Sequence, residues 1–197
     1  MSQRNTHNGE KQLQVLANEL ARANTHFYFA QKLHSNYQQL GTANDFWDYT
    51  LVAHYSIALL NLCLVYDFHK DGINLFNCLK SIDERALDQT KQNQMRVFNA
   101  LCRPKSQNPL VESLRTWRNN IFAHYNIEAA LDREKFDKDN PDEPEEMLRN
   151  LIPSGFKMLE WCGSIHGNVT TFPKYAPGIE SCEKVLESLR NVGKVEL

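Results

Sequence analysis

Leu51–Tyr66, LVAHYSIALLNLCLVY, is the most apolar stretch of the chain. It is 16 residues long and is interrupted by His54, Ser56 and Asn61. A membrane span needs about 20 predominantly apolar residues. The stretch is therefore too short and too polar for a comfortable span, and it reads as part of a buried helix. Apolar residues stand almost all round it, which places that helix at the centre of a bundle. The helix runs from about Asp45 to His69, and Asp71-Gly72 breaks it.

The flanking sequence supports the same fold. Leu13, Leu16, Leu20, Ala23, Phe27, Ala30 and Leu33 recur at three- and four-residue steps. That spacing predicts a long amphipathic helix over about Glu10–Leu40, ended by Gly41, with Thr42 or Asn44 to cap the next. Leu75–Ile82 gives a short helix. Asp83 or Asp88 opens another, carrying Met95, Val97, Phe98 and Leu101, and Cys102–Asn108 is a loop. Pro109 suits a first helical turn. The helix it starts has an apolar face of Leu110, Leu114, Trp117, Ile121 and Phe122 through about His124. Asp132–Glu146, with Pro141 and Pro144, is a linker or helix boundary. Leu148–Ile165 reads as helix with Pro153 and Gly155 as kink points, Thr170–Pro177 as loop, and Ile179–Val192 as a closing helix. No alternating strand pattern of useful length appears. The expected fold is all-α, a single domain over residues 1–197 built as a bundle of about six to seven helices, with residues 1–9 as a disordered tail.

Composition agrees. A 197-residue chain with 42% hydrophobic and 23% charged residues is an ordinary globular protein. Its five cysteines are odd in number, widely spaced and without a CxxC pair, which suits a reducing compartment. The polar start MSQRNTHNGEKQLQ lacks the apolar core of a signal peptide, so the expected location is cytoplasmic, with no membrane partner. The net charge of -2 conceals two blocks. Arg85–Tyr125 holds seven basic and two acidic residues, or +5, and Asn126–Leu148 holds nine acidic and three basic, or -6. A basic face suits a polyanion such as RNA, and an acidic segment folded over it would keep that face closed. Opposite blocks also pair simply as solvated helix faces.

The chemistry-bearing segment is Arg115-Thr-Trp-Arg118-Asn119-Asn120-Ile-Phe-Ala-His124-Tyr125-Asn126. Adjacent Asn residues are costly inside a helix, because their side chains compete with the backbone. In a regular helix Arg118 and His124 lie about 120° apart and about 9 Å along the axis, so one copy does not align them. Asn120 and His124, four apart, can touch. Arg and His near a helix end also suit the helix dipole with no further role.

The RNNIFAH segment, Arg118 to His124, resembles the motif of the HEPN superfamily: Arg, then a polar residue, then His after four to six intervening residues. With the aromatic and polar residues that follow, it is most similar to the abortive-infection (type U) branch of phage-defence proteins. In that branch a helix ending near an Asp lies upstream of the motif, and Asp67-Phe68-His69-Lys70 stands in that place. The resemblance implies a metal-independent endoribonuclease in phage defence or a toxin–antitoxin setting, with Arg118 and His124 catalytic and Asn119 assisting. Arg115, Asn120 and Tyr125 are weaker candidates for contact with RNA. No cofactor and no metal are implied. The implied partners are RNA, a second copy of the chain, and an antitoxin or other defence-system protein. One subgroup carries a Tyr two residues after the His as a site of nucleotide modification. Here Tyr125 follows directly and Asn126 takes that position, which argues against such regulation. A non-catalytic module that binds RNA or protein is the alternative.

The remaining candidates read as structural. His54 and Asn61 are expected as hydrogen-bonded core groups, and His26, His34 and His166 as lone surface or rim residues. Trp47, Trp117 and Trp161 are expected in the core. Asp67-x-His69-x-Asp71 reads as a helix end and turn rather than a metal site. No Walker, dinucleotide-binding, nucleophile-elbow or zincin motif occurs.

Overall fold

A run of 33 residues without proline forms α1 (Gln3–Ser35). This computed structural model describes residues 3–35, 45–106, 108–119, 144–166, 171–177, 179–180, 183–184 and 187–188. The helix begins seven residues ahead of the expected Glu10, inside the stretch read as a tail. Its inner stripe, Leu13, Leu16, Leu20, Ala23, Phe27, Ala30 and Leu33, is buried as the spacing predicts. That stripe packs on α2 (Asp45–Tyr66) and α6 (Pro144–His166).

Between α2 and α6 lie three shorter helices with side-chain caps. The carbonyl Oδ1 of buried Asn74 accepts from the Asn77 amide at 2.8 Å and opens α3 (Leu75–Lys80). Both aspartates proposed as starts are used. Asp83 caps a 3-10 turn (Glu84–Ala86), and Asp88 caps α4 (Gln89–Cys102) by accepting from the Lys91 amide at 2.9 Å. Asn108 caps α5 (Pro109–Trp117), and Pro109 occupies its first turn. Asp67–Gly72 is the helix end and turn expected: the His69 carbonyl accepts from Gly72 N, Asn74 Nδ2 and Asn77 Nδ2.

The six α-helices among the described residues, with no strand there, make the fold all-α. The middle of the bundle is α6, not α2. Leu148, Leu151, Ile152, Phe156, Met158, Leu159 and Cys162 are buried, and α6 packs against α1, α2, α3 and α5. It runs through Pro153 as one helix. At Gly155 the approach to α1 is so close that a Cβ would lie 2.9 Å from Leu20 Cδ2. The 171–177 segment is tied back to α1, where Asn24 Nδ2 donates to the Lys174 carbonyl at 2.9 Å and the Ala176 amide donates to Thr25 Oγ1 at 2.8 Å.

The expectation that α2 is enclosed is corrected. Ala58, Leu59, Leu62, Cys63, Val65 and Tyr66 are buried, but Phe46, Tyr49, Val52, Ile57, Leu60 and Leu64 are exposed. High hydropathy shows that a helix favours burial, not which neighbour covers it. Phe46–Tyr66 is also long and apolar enough to cross a membrane by length and composition, yet a third of its span is buried against the bundle. The apolar helix thus extends five residues ahead of Leu51–Tyr66, the stretch too short by itself to span.

Candidate active site

The end of α5 meets the end of α2. Beyond Trp117 the backbone continues through Arg118 and Asn119 as a π-helical turn, a feature that recurs at functional sites. The turn is wider than an α-turn, so regular-helix arithmetic does not apply there. Arg118 Nη2 lies 3.3 Å from the Asp67 carboxylate. Asp67 follows the last residue of α2, and its Oδ1 accepts from the Phe68 amide at 2.8 Å, which holds the carboxylate in place. The Arg118 side chain keeps 40% of its surface in solvent against 19% for Asp67, so the guanidinium is anchored but accessible. Asn119 is exposed beside it.

One turn earlier the two helices are joined in the interior. Buried Cys63 on α2 points its Sγ at the Leu114 carbonyl on α5, 3.7 Å away. Burial pushes this thiol up to about 12, so it stays protonated as a donor. Arg115 is also buried, which departs from its expected place on an RNA-facing surface. Its Nη1 donates to the Arg103 carbonyl at 3.0 Å and to Glu112 at 2.6 Å. Its Nη2 donates to the carbonyls of Tyr66 at 3.2 Å and Cys102 at 2.8 Å. The guanidinium also stacks 4.7 Å from the Phe68 ring centre. Tyr66 and Cys102 end α2 and α4, so Arg115 caps two helices with one planar fork. The sequence carried a signal for this inward placement: Arg115 is four residues after Val111, on the same buried stripe.

His124, Asn120 and Tyr125 lie outside the described residues, as do Ile121 and Phe122. The basic block is partly compensated. Lys91 lies 3.6 Å from Asp88, Arg96 lies 3.3 Å from Glu84, and Arg115 faces inward. Arg85, Arg103 and Lys105 are exposed. Of the acidic segment, Glu145 pairs with Arg149 on its own helix and Glu146 is exposed. Glu143 lies outside the described residues. Beside Trp117 an open cavity of about 380 Å³ is bounded by Tyr55, His34, Ser56 and Glu145.

His26 is not a lone histidine. Its Nδ1 lies 2.9 Å from His54 Nδ1 across the α1–α2 seam. Spacing within one helix cannot reveal such a pair. Asn61 donates to the Ile57 carbonyl at 2.8 Å, as expected of a satisfied polar group. Trp117 and Trp161 are buried, while Trp47 is half-buried. Among the described residues, no three His, Cys, Asp or Glu side chains are gathered as a metal site.

A family model described as AbiU2, of the HEPN group, matches residues 10–175. The chain belongs to the AbiU2 family of HEPN domains. No curated protein and no solved structure matches it. The match runs from α1 through α6 and takes in the whole Arg118–His124 segment. For an AbiU2-family domain the Asp67–Arg118 contact is informative. It brings the residue at the end of α2 against the first residue of the motif, although the two are far apart in the chain.

Proposed function

We propose that this HEPN domain is a metal-independent endoribonuclease that cleaves RNA through its own 2′-hydroxyl, in phage defence or a toxin–antitoxin setting. The observation that carries this reading is Arg118, held by Asp67 at 3.3 Å yet open to solvent. An Arg in that state offers a fixed cation to phosphate oxygens. In the proposed reaction the 2′-oxygen attacks the adjacent phosphorus as a base removes its proton. The bond from phosphorus to the 5′-oxygen breaks, and an acid protonates the leaving oxygen. Arg118 stabilises the charge of the phosphorane. His124 supplies proton transfer near neutral pH, and Asn119 orients phosphate or imidazole. The 2′-hydroxyl restricts the substrate to RNA. Tyr55, beside the open cavity, offers an aromatic face for a nucleobase.

A single His cannot readily act as base and acid in one step. The reading therefore includes a homodimer in which two copies of Arg118 and His124 complete one cleft. The direct test is incubation of purified protein with single-stranded RNA in EDTA. Cleavage is expected, and it should be lost in Arg118→Ala and in His124→Ala. Cleavage that survives both substitutions sinks the assignment.

Asp67→Asn gives a second, graded expectation. The amide retains the size of the side chain but loses the charge that holds Arg118. Misplacing a catalytic group by about 1 Å costs on the order of 100-fold. Cleavage should therefore fall by roughly 10- to 100-fold, with the far-UV circular dichroism spectrum unchanged. A variant with full activity would show that the pair does not position Arg118.

The exposed apolar side of α2 favours one other reading, a non-catalytic module that docks a protein partner. RNA binding without cleavage, or no RNA affinity at all, would move the assignment there.

A further inference from the structure

The exposed side of α2 follows a stricter rule than amphipathicity. Phe46, Thr50, Ala53, Ile57, Leu60, Leu64 and Asp67 are spaced by four, three, four, three, four and three residues. This is the seven-residue spacing by which one helix pairs with another along a seam, apolar at Phe46, Ala53, Ile57, Leu60 and Leu64 and polar at Thr50 and Asp67. Phe46 is 61% exposed, Leu60 42% and Leu64 56%, while the buried residues of α2 lie on the opposite side. From Phe46 to Leu64 the seam is about 27 Å long. Between Asp48 and Asp67 it meets no Asp, Glu, Lys or Arg. Thr50, its polar member ahead of Asp67, donates its hydroxyl to the Phe46 carbonyl at 2.6 Å, so little unsatisfied polarity interrupts the face between Phe46 and Leu64.

We propose that this seam pairs in parallel with α2 of a second copy of the chain, so that the two Asp67–Arg118 sites meet at one end of the shared two-fold axis. The inference deepens the ribonuclease reading, which needs two copies at one cleft. The occupant follows from three features together. A heptad seam matches a copy of itself, because each residue then faces its equivalent. No like charges oppose one another until the seam reaches Asp67, and there Arg118 neutralises each carboxylate. Orientation then follows from the site. Parallel helices in contact have axes about 8–10 Å apart, which brings both Asp67 residues to the same end. Antiparallel pairing along the same seam would place them roughly 36 Å apart, too far for one cleft.

The test uses the full-length chain and reads geometry rather than catalysis. Phe46→Cys and Leu64→Cys are made separately in a Cys182→Ser background and oxidised mildly with copper phenanthroline. Each variant alone should form a cross-linked species of twice the 22.8 kDa chain mass. Light scattering should likewise give a dimer, and Leu60→Arg should halve that mass with helicity retained. Cross-linking only when the two cysteine variants are mixed would mean antiparallel pairing and overturn the proposal. A single-chain mass for the parent protein would also overturn it, as would a monomer that floats with phosphatidylcholine vesicles through the same face. Because none of these readouts involves RNA, loss of the ribonuclease reading would be seen separately, as a parallel dimer without cleavage.

Discussion

Arg115 donates to four oxygens from a position that solvent barely reaches. Arg118, three residues on, makes an ion pair and stays accessible. The segment shows both as Arg on one helix, and their division of labour follows from the direction each faces. Arg115→Ala leaves three backbone carbonyls in the interior without their donor. The expected cost is about 3 kcal/mol, measured as a lower urea midpoint. Arg115→Lys should restore only part of it, because an ammonium lacks the planar fork. Local pattern points to Arg118 and Asn119 through the motif and to the Asp67–Lys70 stretch upstream of it, and the contact between Asp67 and Arg118 appears only in the folded chain. The role of Arg115 was not legible, because its partners come from the ends of α2 and α4.

The starts of the 3-10 turn, α4 and α5 followed from local chemistry because their causes are local. Asp83, Asp88, Asn108 and Pro109 sit where caps and first turns require them. The pairing of elements was less visible. The α1–α2 seam contains His26 and His54 with their Nδ1 atoms 2.9 Å apart, so one ring must donate and the other accept. Burial lowers the pKa of His26 below its usual 6.5. It lowers that of His54 too, helped by the neighbouring imidazole. An unfolded histidine titrates near 6.5. Below that pH the unfolded chain takes up protons that the folded pair resists. The pair's stabilisation is therefore present near neutral pH and lost as pH falls through the lowered values. The melting temperature should drop between pH 7 and pH 5 more steeply in the parent than in a His26→Gln/His54→Gln variant. Parallel curves would show that the pair does not titrate differently on folding.

Across the molecule, Cys63, Cys78, Cys102 and Cys162 are buried and free, on four different helices that meet in the core. Burial pushes Cys63 and Cys102 up to about 12 and Cys78 up to about 11, and it raises Cys162 as well. These four thiols should resist a thiol-reactive dye in the native state at pH 8 and react together in guanidinium, since the thiolate is the nucleophile. Reaction of two or more in the native protein would mean that the core opens readily. The same core separates what the sequence determined from what it left open. Local periodicity and capping determined an all-α chain and the start of α5 at Pro109. Tertiary structure alone decided that α6 takes the centre, that α2 shows one apolar face to solvent, that Arg115 turns inward and that Asp67 meets Arg118. A helix's own pattern is set by residues three and four apart. Which face becomes covered depends on elements far away in the chain, and hydropathy carries no address for them.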